Sequence, residues 1–164
     1  MTDQFTVRMA TAADASTLAQ QRAAMFRDMG VLPQPLNAPL MDASRHYFEE
    51  AIPSGEYLGW VASIAGSRDV IAGAGLQLRR ALPHPDPGRG KIMLGMQGVV
   101  LNVYTEPAWR RRGLAALLMG HVLDWAKANG VKSLVLHASR EARLLYEKLG
   151  FVPTNEMRYA PDWQ

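Results

Sequence analysis

Leu18, Met25, Phe26 and Met29 keep the spacing of one helix face, and the segment carrying them opens at Thr11 with Asp14 three residues on, as in a capping box. The pattern predicts a helix to about residue 29, stopped by Gly30 and preceded by a short strand at 6–9. The next stretch, VLPQPLNAPL, holds three prolines and reads as a loop. A second helix is expected from 41 to about 51, closed by Pro53 and Gly55. Residues 57–65 and 70–78 are β-rich runs on either side of Gly66-Ser67-Arg68-Asp69, which is a hairpin signal. The proline- and glycine-rich segment 82–90 is expected to be a mobile surface loop, and 92–105 is the longest β segment.

Past Pro107, Leu114, Leu117, Leu118, Val122 and Trp125 share one face of a helix expected over 113–129, with Gly130 as its stop. A short buried-type strand at 134–137, a last helix at 142–149 stopped by Gly150, and β-type residues at Phe151-Val152 and 157–159 complete the chain. Helices come first, then an antiparallel meander, then a strand-helix-strand-helix-strand tail. That order predicts an α/β (α+β) fold: a single mixed, mostly antiparallel sheet with helices on both faces. No repeat, linker or low-complexity segment interrupts it, so residues 1–164 are expected to form one domain.

With 48% hydrophobic residues, a 164-residue chain can bury a core without metal or disulfide support. The absence of cysteine excludes a disulfide framework, a thiolate nucleophile and a cysteine-ligated metal, and no metal site is expected. No stretch resembles a signal peptide or approaches the roughly 20 apolar residues of a membrane span, so a soluble, cytoplasmic protein without a membrane partner is expected. A net charge of +3 and a pI near 9.4 fit a nucleic-acid binder or a protein holding one phosphorylated ligand. Arg110, Arg111 and Arg112 lie together beside a glycine and a helix start, not along a basic face with interleaved aromatics, which favours a compact phosphate site over nucleic acid.

The informative stretch is LNVYTEPAWRRRGLA, residues 101–115: strand, proline-marked turn, three arginines, glycine, amphipathic helix. The first N–H groups of a helix lack intrahelical partners and carry the positive end of its dipole, which favours a phosphate there by roughly 0.3–2 kcal/mol. Gly113 lets backbone approach phosphate oxygens closely. Three arginines in isolation read equally as a solvated helix start.

In this context the sequence resembles the GNAT superfamily of acyl-CoA-dependent N-acetyltransferases. Arg110, Gly113 and Ala115 match that family's Arg/Gln-x-x-Gly-x-Gly/Ala loop, after a strand ending Asn102-Val103-Tyr104-Thr105 and Pro107. Downstream, Ala142, Leu145, Tyr146, Gly150 and Phe151 match its Ala-x-x-Leu-Tyr-x-x-x-Gly-Phe signature. The resemblance implies an enzyme moving an acetyl group from acetyl-CoA to a primary amine of a small molecule or peptide. It makes Arg110, Arg111, Arg112, Gly113, Leu114 and Ala115 the pyrophosphate cradle. Val103, Tyr104 and Thr105 become the pantetheine strand, splayed from the strand at 134–137, with Gly95 and Gly98 as candidates for the accompanying bulge. Tyr146 becomes the general acid that protonates the departing thiolate. Spacing alone would make it a core tyrosine packed with Leu145 and Leu149. Ser139 stands where many members have a pantetheine-binding asparagine; its hydroxyl can hydrogen-bond the cofactor or cap the helix.

The general base is not evident, because residues 92–105 contain no acid. His137 has a suitable intrinsic pKa range, with a structural strand-end role as the alternative. Asp42, Glu49 and Glu50 are further candidates or a solvated face, and His121 reads as structural. Family resemblance places the acceptor pocket at the first two helices and the loop between them, where Met25, Phe26, Met29, Met41, Tyr47 and Phe48 are core or pocket residues. An acyl-CoA sensor without turnover is the alternative function, and the oligomeric state stays open between monomer and homodimer.

Overall fold

The computed structural model describes residues 4–157. Asp14 ties the first two elements together: its Oδ2 accepts from the Thr11 N–H at 2.8 Å, and its two oxygens accept from the Arg8 guanidinium at 2.8 Å each. One carboxylate thereby joins strand β1 (Phe5–Met9) to the start of helix α1 (Ala15–Asp28), as the capping-box reading anticipated. Helix α2 (Asn37–Ser54) begins four residues earlier than the prolines suggested and ends three later. Pro39 falls in the first turn, where an N–H would have no intrahelical partner, and Pro53 falls in the last turn before Gly55 at φ 78°.

Strands β2 (Tyr57–Ile64) and β3 (Val70–Arg80) form the expected hairpin. The segment read as a loop instead contains β4 (His84–Asp86), which pairs with β5 (Lys91–Met93) in a two-stranded ribbon. Pro85 is tolerated there because each strand of a ribbon has a free edge. The long β segment is therefore broken: Gly95, at φ +112°, separates β5 from β6 (Met96–Thr105). Helix α3 (Leu114–Ala128) crosses over to β7 (Ser133–Leu136), and α4 (Arg143–Lys148) follows. The main sheet has the order β1-β2-β3-β6-β7, antiparallel throughout except for the parallel pair β6–β7.

Alternation along the central strands builds a core on each face, as a two-period pattern requires. Trp60, Ala62, Ala72, Ala74, Leu76 and Val100 pack with Leu114, Leu118, Met119 and Val122 of α3. Tyr57 and Val61 point the other way, against Leu18 of α1 and Phe48 and Ala51 of α2. Leu118, Met119 and Val122 are wholly buried, each contributing about 1.5–3 kcal/mol relative to exposure. Among the described residues no helix is long and apolar enough to cross a membrane.

Phe151-Val152 is not a strand. The Phe151 N–H donates to the Tyr146 carbonyl at 3.0 Å and the Gly150 N–H to the Glu147 carbonyl at 3.1 Å, with Gly150 at φ 96°. This is a Schellman end to α4, in which the Phe151 ring packs edge-on against Tyr146 at 5.9 Å. The Tyr-x-x-x-Gly-Phe pattern is thus a helix stop. Met157 lies in no regular element, and residues 158 and 159 of the last expected strand lie outside the described residues.

Candidate active site

Strand β6 outruns its parallel neighbour. Pairing with β7 runs from Gln97–Ser133 to Val100–Leu136 and stops, whereas β6 continues five residues further, paired only to β3. Along 101–105 one edge of β6 is therefore free of strand partners among the described residues. On the β3 side the ladder passes from Gly75–Leu101 to Gly73–Tyr104, so Asn102 and Val103 together face the single residue Ala74. This bulge is not at Gly95 or Gly98. Gly98 is a regular strand residue whose Cβ would lie 2.6 Å from the Leu134 side chain and 2.7 Å from that of Leu76. Asn102 makes the bulge at φ 57°, a left-handed conformation that asparagine tolerates better than most residues. The extra residue shifts the phase of the strand, so that consecutive Leu101 and Asn102 line the same cavity.

Beyond Thr105 the chain makes a 3₁₀ turn over Pro107–Trp109 and then two left-handed steps, Arg111 at φ 61° and Gly113 at φ 82°, before α3 starts. No atom lies within 4 Å of where a Gly113 Cβ would be, so backbone conformation is what favours glycine there. The Leu117 N–H donates to the Gly113 carbonyl at 2.9 Å, which leaves the N–H groups of Leu114, Ala115 and Ala116 at the open start of the helix. The three arginines diverge. Arg110 turns back, with Nε donating to the Thr105 carbonyl at 3.0 Å, its guanidinium paired with Asp28 of α1 and lying 5.6 Å from the Tyr104 ring. Arg112 stacks over Trp109 at 4.7 Å, and Arg111 is exposed without a carboxylate partner among the described residues.

Tyr146 sits on α4, its ring buried in the α3-side core, and its hydroxyl has no hydrogen-bond partner among the described residues. Burial raises the phenol's pKa above its ordinary value, so the proton is retained through neutral pH. Ser139 closes the turn that leads into that helix: its Oγ and its carbonyl each accept from the Ala142 N–H at 3.2 Å. His137 lies one residue past β7, at the mouth of the splay, exposed and in contact with Glu156.

On the α1–α2 face a cavity of about 360 Å³ reaches β6 at the bulge. Among the described residues Tyr47, Phe48 and Tyr57 supply its aromatic lining, Ser44, Gln77 and Asn102 its neutral polar lining, and Arg22 its one charge. Gln77 Nε2 donates to the Tyr47 hydroxyl at 2.7 Å. The Asn102 side chain donates from Nδ2 to the Leu18 carbonyl at 3.4 Å, leaving Oδ1 buried without a partner, as is the Tyr57 hydroxyl. Burial pushes the Tyr57 phenol far up, with Arg22 acting in the opposite sense.

The acetyltransferase (GNAT) family model matches residues 25–151, which is most of the chain. The chain belongs to that family. A GCN5-related N-acetyltransferase from Ralstonia eutropha JMP134 is 29% identical, covering 96% of this chain and 98% of its own at a TM-score of 0.83. A predicted acetyltransferase from Clostridium acetobutylicum, solved with acetyl-CoA, is 26% identical, covering 96% of each chain at a TM-score of 0.76. Glucosamine-6-phosphate N-acetyltransferase from Arabidopsis thaliana shares the fold, with 16% identity, 96% and 98% coverage and a TM-score of 0.68. No curated protein sequence matches the chain significantly.

In this GNAT acetyltransferase, β6, the loop after it and the start of α3 bring Val103, Tyr104, Thr105, Arg110, Arg111, Arg112, Gly113, Leu114 and Ala115 into one continuous run, while Tyr146 and Ser139 come from the far side of β7. Of the six residues expected around an acceptor, only Tyr47 and Phe48 line the cavity; Met29 is exposed, and Met25, Phe26 and Met41 do not line it. Sequence reasoning missed Arg22, Tyr57, Gln77 and Asn102. Gly73 and Gly75, alternate residues of one strand, were the available signal, since glycine in a strand marks a close approach. A Cβ at Gly73 would lie 2.5 Å from Gln21 Oε1.

Proposed function

We propose that this chain, as one domain over residues 1–164, transfers an acetyl group from acetyl-CoA to a primary amine by direct attack in a ternary complex. The carrying observation is the continuity of the free β6 edge at 101–105 with the left-handed Arg111–Gly113 turn and the open N–H groups of α3. An extended pantetheine suits the strand edge, with Val103 and Thr105 offering backbone groups beside Tyr104, although the Thr105 carbonyl is already taken by Arg110. A pyrophosphate suits the backbone donors at Gly113, Leu114 and Ala115, with Arg111 and Arg112 supplying charge and Arg110 holding the loop to α1. Ser139 is a proposed cofactor contact as well, its hydroxyl accepting from Ala142 in the turn before α4.

Acetyl-CoA supplies the activated acyl carbon: the amine nitrogen bonds to it, the C–S bond breaks, and the sulfur takes a proton. Tyr146 is the proposed donor of that proton, and its raised pKa keeps it in the donating form. The cavity at the bulge is the proposed acceptor site, for a small-molecule or peptide amine. His137, at the mouth of the splay, is a candidate base; neither it nor any carboxylate lines the cavity among the described residues. Neither a nucleic acid nor a membrane has a part in this reaction, which we place in the cytoplasm.

The test has two stages. CoA and acetyl-CoA at millimolar concentration should raise the melting temperature, because a ligand bound only by the folded state stabilises it. An amine screen with thiol detection should then release free CoA. Absence of a thermal shift overturns the cofactor site, and a shift with no thiol release for any amine favours a sensor.

A further inference from the structure

The cavity at the bulge has an uneven chemistry. Its single charge is Arg22, half-buried on α1, with the guanidinium carbon 4.9 Å from the Phe26 ring centre and no carboxylate partner among the described residues. Arg8, Arg45, Arg89, Arg110 and Arg143 are paired with an acid; Arg22 is among the described arginines that are not, and of these it alone lines this cavity. No Asp or Glu among the described residues lines the cavity; the Glu56 carboxylate approaches the Tyr47 hydroxyl, at 3.4 Å. The charge of Arg22 is felt by both phenols of the wall, Tyr47 and Tyr57. A partly desolvated guanidinium without a protein acid stabilises an anion held in a planar, two-bond geometry.

The cavity also reaches the β6 bulge. Asn102 lines it there, where the β6 edge becomes free, while its Oδ1 and the Tyr57 hydroxyl are themselves enclosed by protein. A single cation beside an aromatic wall selects a ligand that carries an anion. At about 360 Å³ the space is of small-ligand size.

We propose that the acceptor is a small amine carrying an anionic group, a carboxylate or a phosphate, which Arg22 binds while the amine end is directed toward the bulge of β6. The inference rests on the acetyl-transfer reading for the role of that amine, but the pocket's selectivity can be measured without turnover.

The experiment is calorimetric titration of the protein loaded with free CoA, using phenylalanine, methionine and leucine against their amides, and glucosamine 6-phosphate against glucosamine. At least one anionic probe should bind about tenfold tighter than its uncharged counterpart. Arg22→Gln should abolish that preference while CoA affinity stays unchanged, and Arg22→Lys should keep part of it. A preference among the amino acids identifies the carboxylate as the anion, and one for glucosamine 6-phosphate identifies the phosphate. Equal or tighter binding of the uncharged probes, a preference that survives in Arg22→Gln, or no binding of any probe each overturns the proposal. If anionic amines bind as expected but release no thiol from acetyl-CoA, the pocket assignment stands and the transferase reading falls.

Discussion

The Tyr57 hydroxyl lies directly over Gly75: a Cβ built on that glycine would be 1.7 Å from the oxygen and 2.2 Å from the ring carbon bearing it. The absence of one methyl group on β3 therefore makes room for a buried tyrosine of β2, and with it for one wall of the cavity.

Gly75→Ala should be destabilising by about 1–3 kcal/mol, the usual cost of overpacking. Tyr57→Phe should leave stability nearly unchanged, since it removes a buried hydroxyl that has no partner. It would not rescue Gly75→Ala, because the ring carbons still clash. Tyr57→Leu should: the double variant is expected to lose less than the sum of the single losses. Urea midpoints of the four proteins check this, and additive losses would mean that the contact is relieved elsewhere.

Arg110 and Asp28 join the phosphate loop to α1, but both side chains are nearly half exposed, at 44% and 46%. Their pair should contribute less than about 1 kcal/mol to stability, so Asp28→Ala is expected to melt close to wild type. If the pair holds the loop, Asp28→Ala should weaken CoA binding a few-fold. Replacing Arg111 and Arg112 together by alanine should cost about tenfold, and only for ligands that carry the pyrophosphate. Titrations with CoA and with a pantetheine fragment separate the two effects; equal losses for both ligands would mean that the arginines act through folding.

Tyr146→Phe keeps the ring that packs against Phe151 and removes one oxygen, so stability should barely change. Loss of a positioned general acid should lower kcat by something on the order of 10²-fold with CoA affinity preserved. Because burial raises the phenol's pKa, wild-type kcat should show no loss from its ionisation below about pH 10. Undiminished turnover in the variant would remove Tyr146 from the reaction, and a parallel fall in CoA affinity would make it a binding residue.

Arg8 and the Thr11 N–H hold the Asp14 carboxyl below its ordinary pKa, the Arg8 hydrogen bonds being the larger cause. A carboxylate with a depressed folded-state pKa stabilises the fold above its unfolded value, near 3.9, and loses that contribution as pH falls through the folded value. Asp14→Asn should therefore cost about 1–2 kcal/mol at pH 7, the half-exposed Arg8 keeping the figure modest. The gap between variant and wild type should close as pH drops from about 5 to below 3. A gap independent of pH would assign the loss to packing.

The sequence by itself determined the order of the main-sheet strands and the four helices, the glycine stops of α1, α3 and α4, and the family, because all of these are local or periodic. A helix face, a left-handed glycine and a run of arginines before a helix each require only neighbours along the chain. What Arg110 touches depended on α1, whose Asp28 lies 82 residues away in sequence. The bulge at Asn102 was equally out of reach, since a bulge is a mismatch between two strands and the wrong glycines carried the sequence signal. The cavity was decided only in three dimensions: Arg22, Tyr57, Gln77 and Asn102 come from four different elements. Two strand glycines, one extra residue on β6 and the packing of α1 and α2 over them set that space, and no single stretch of chain encodes it.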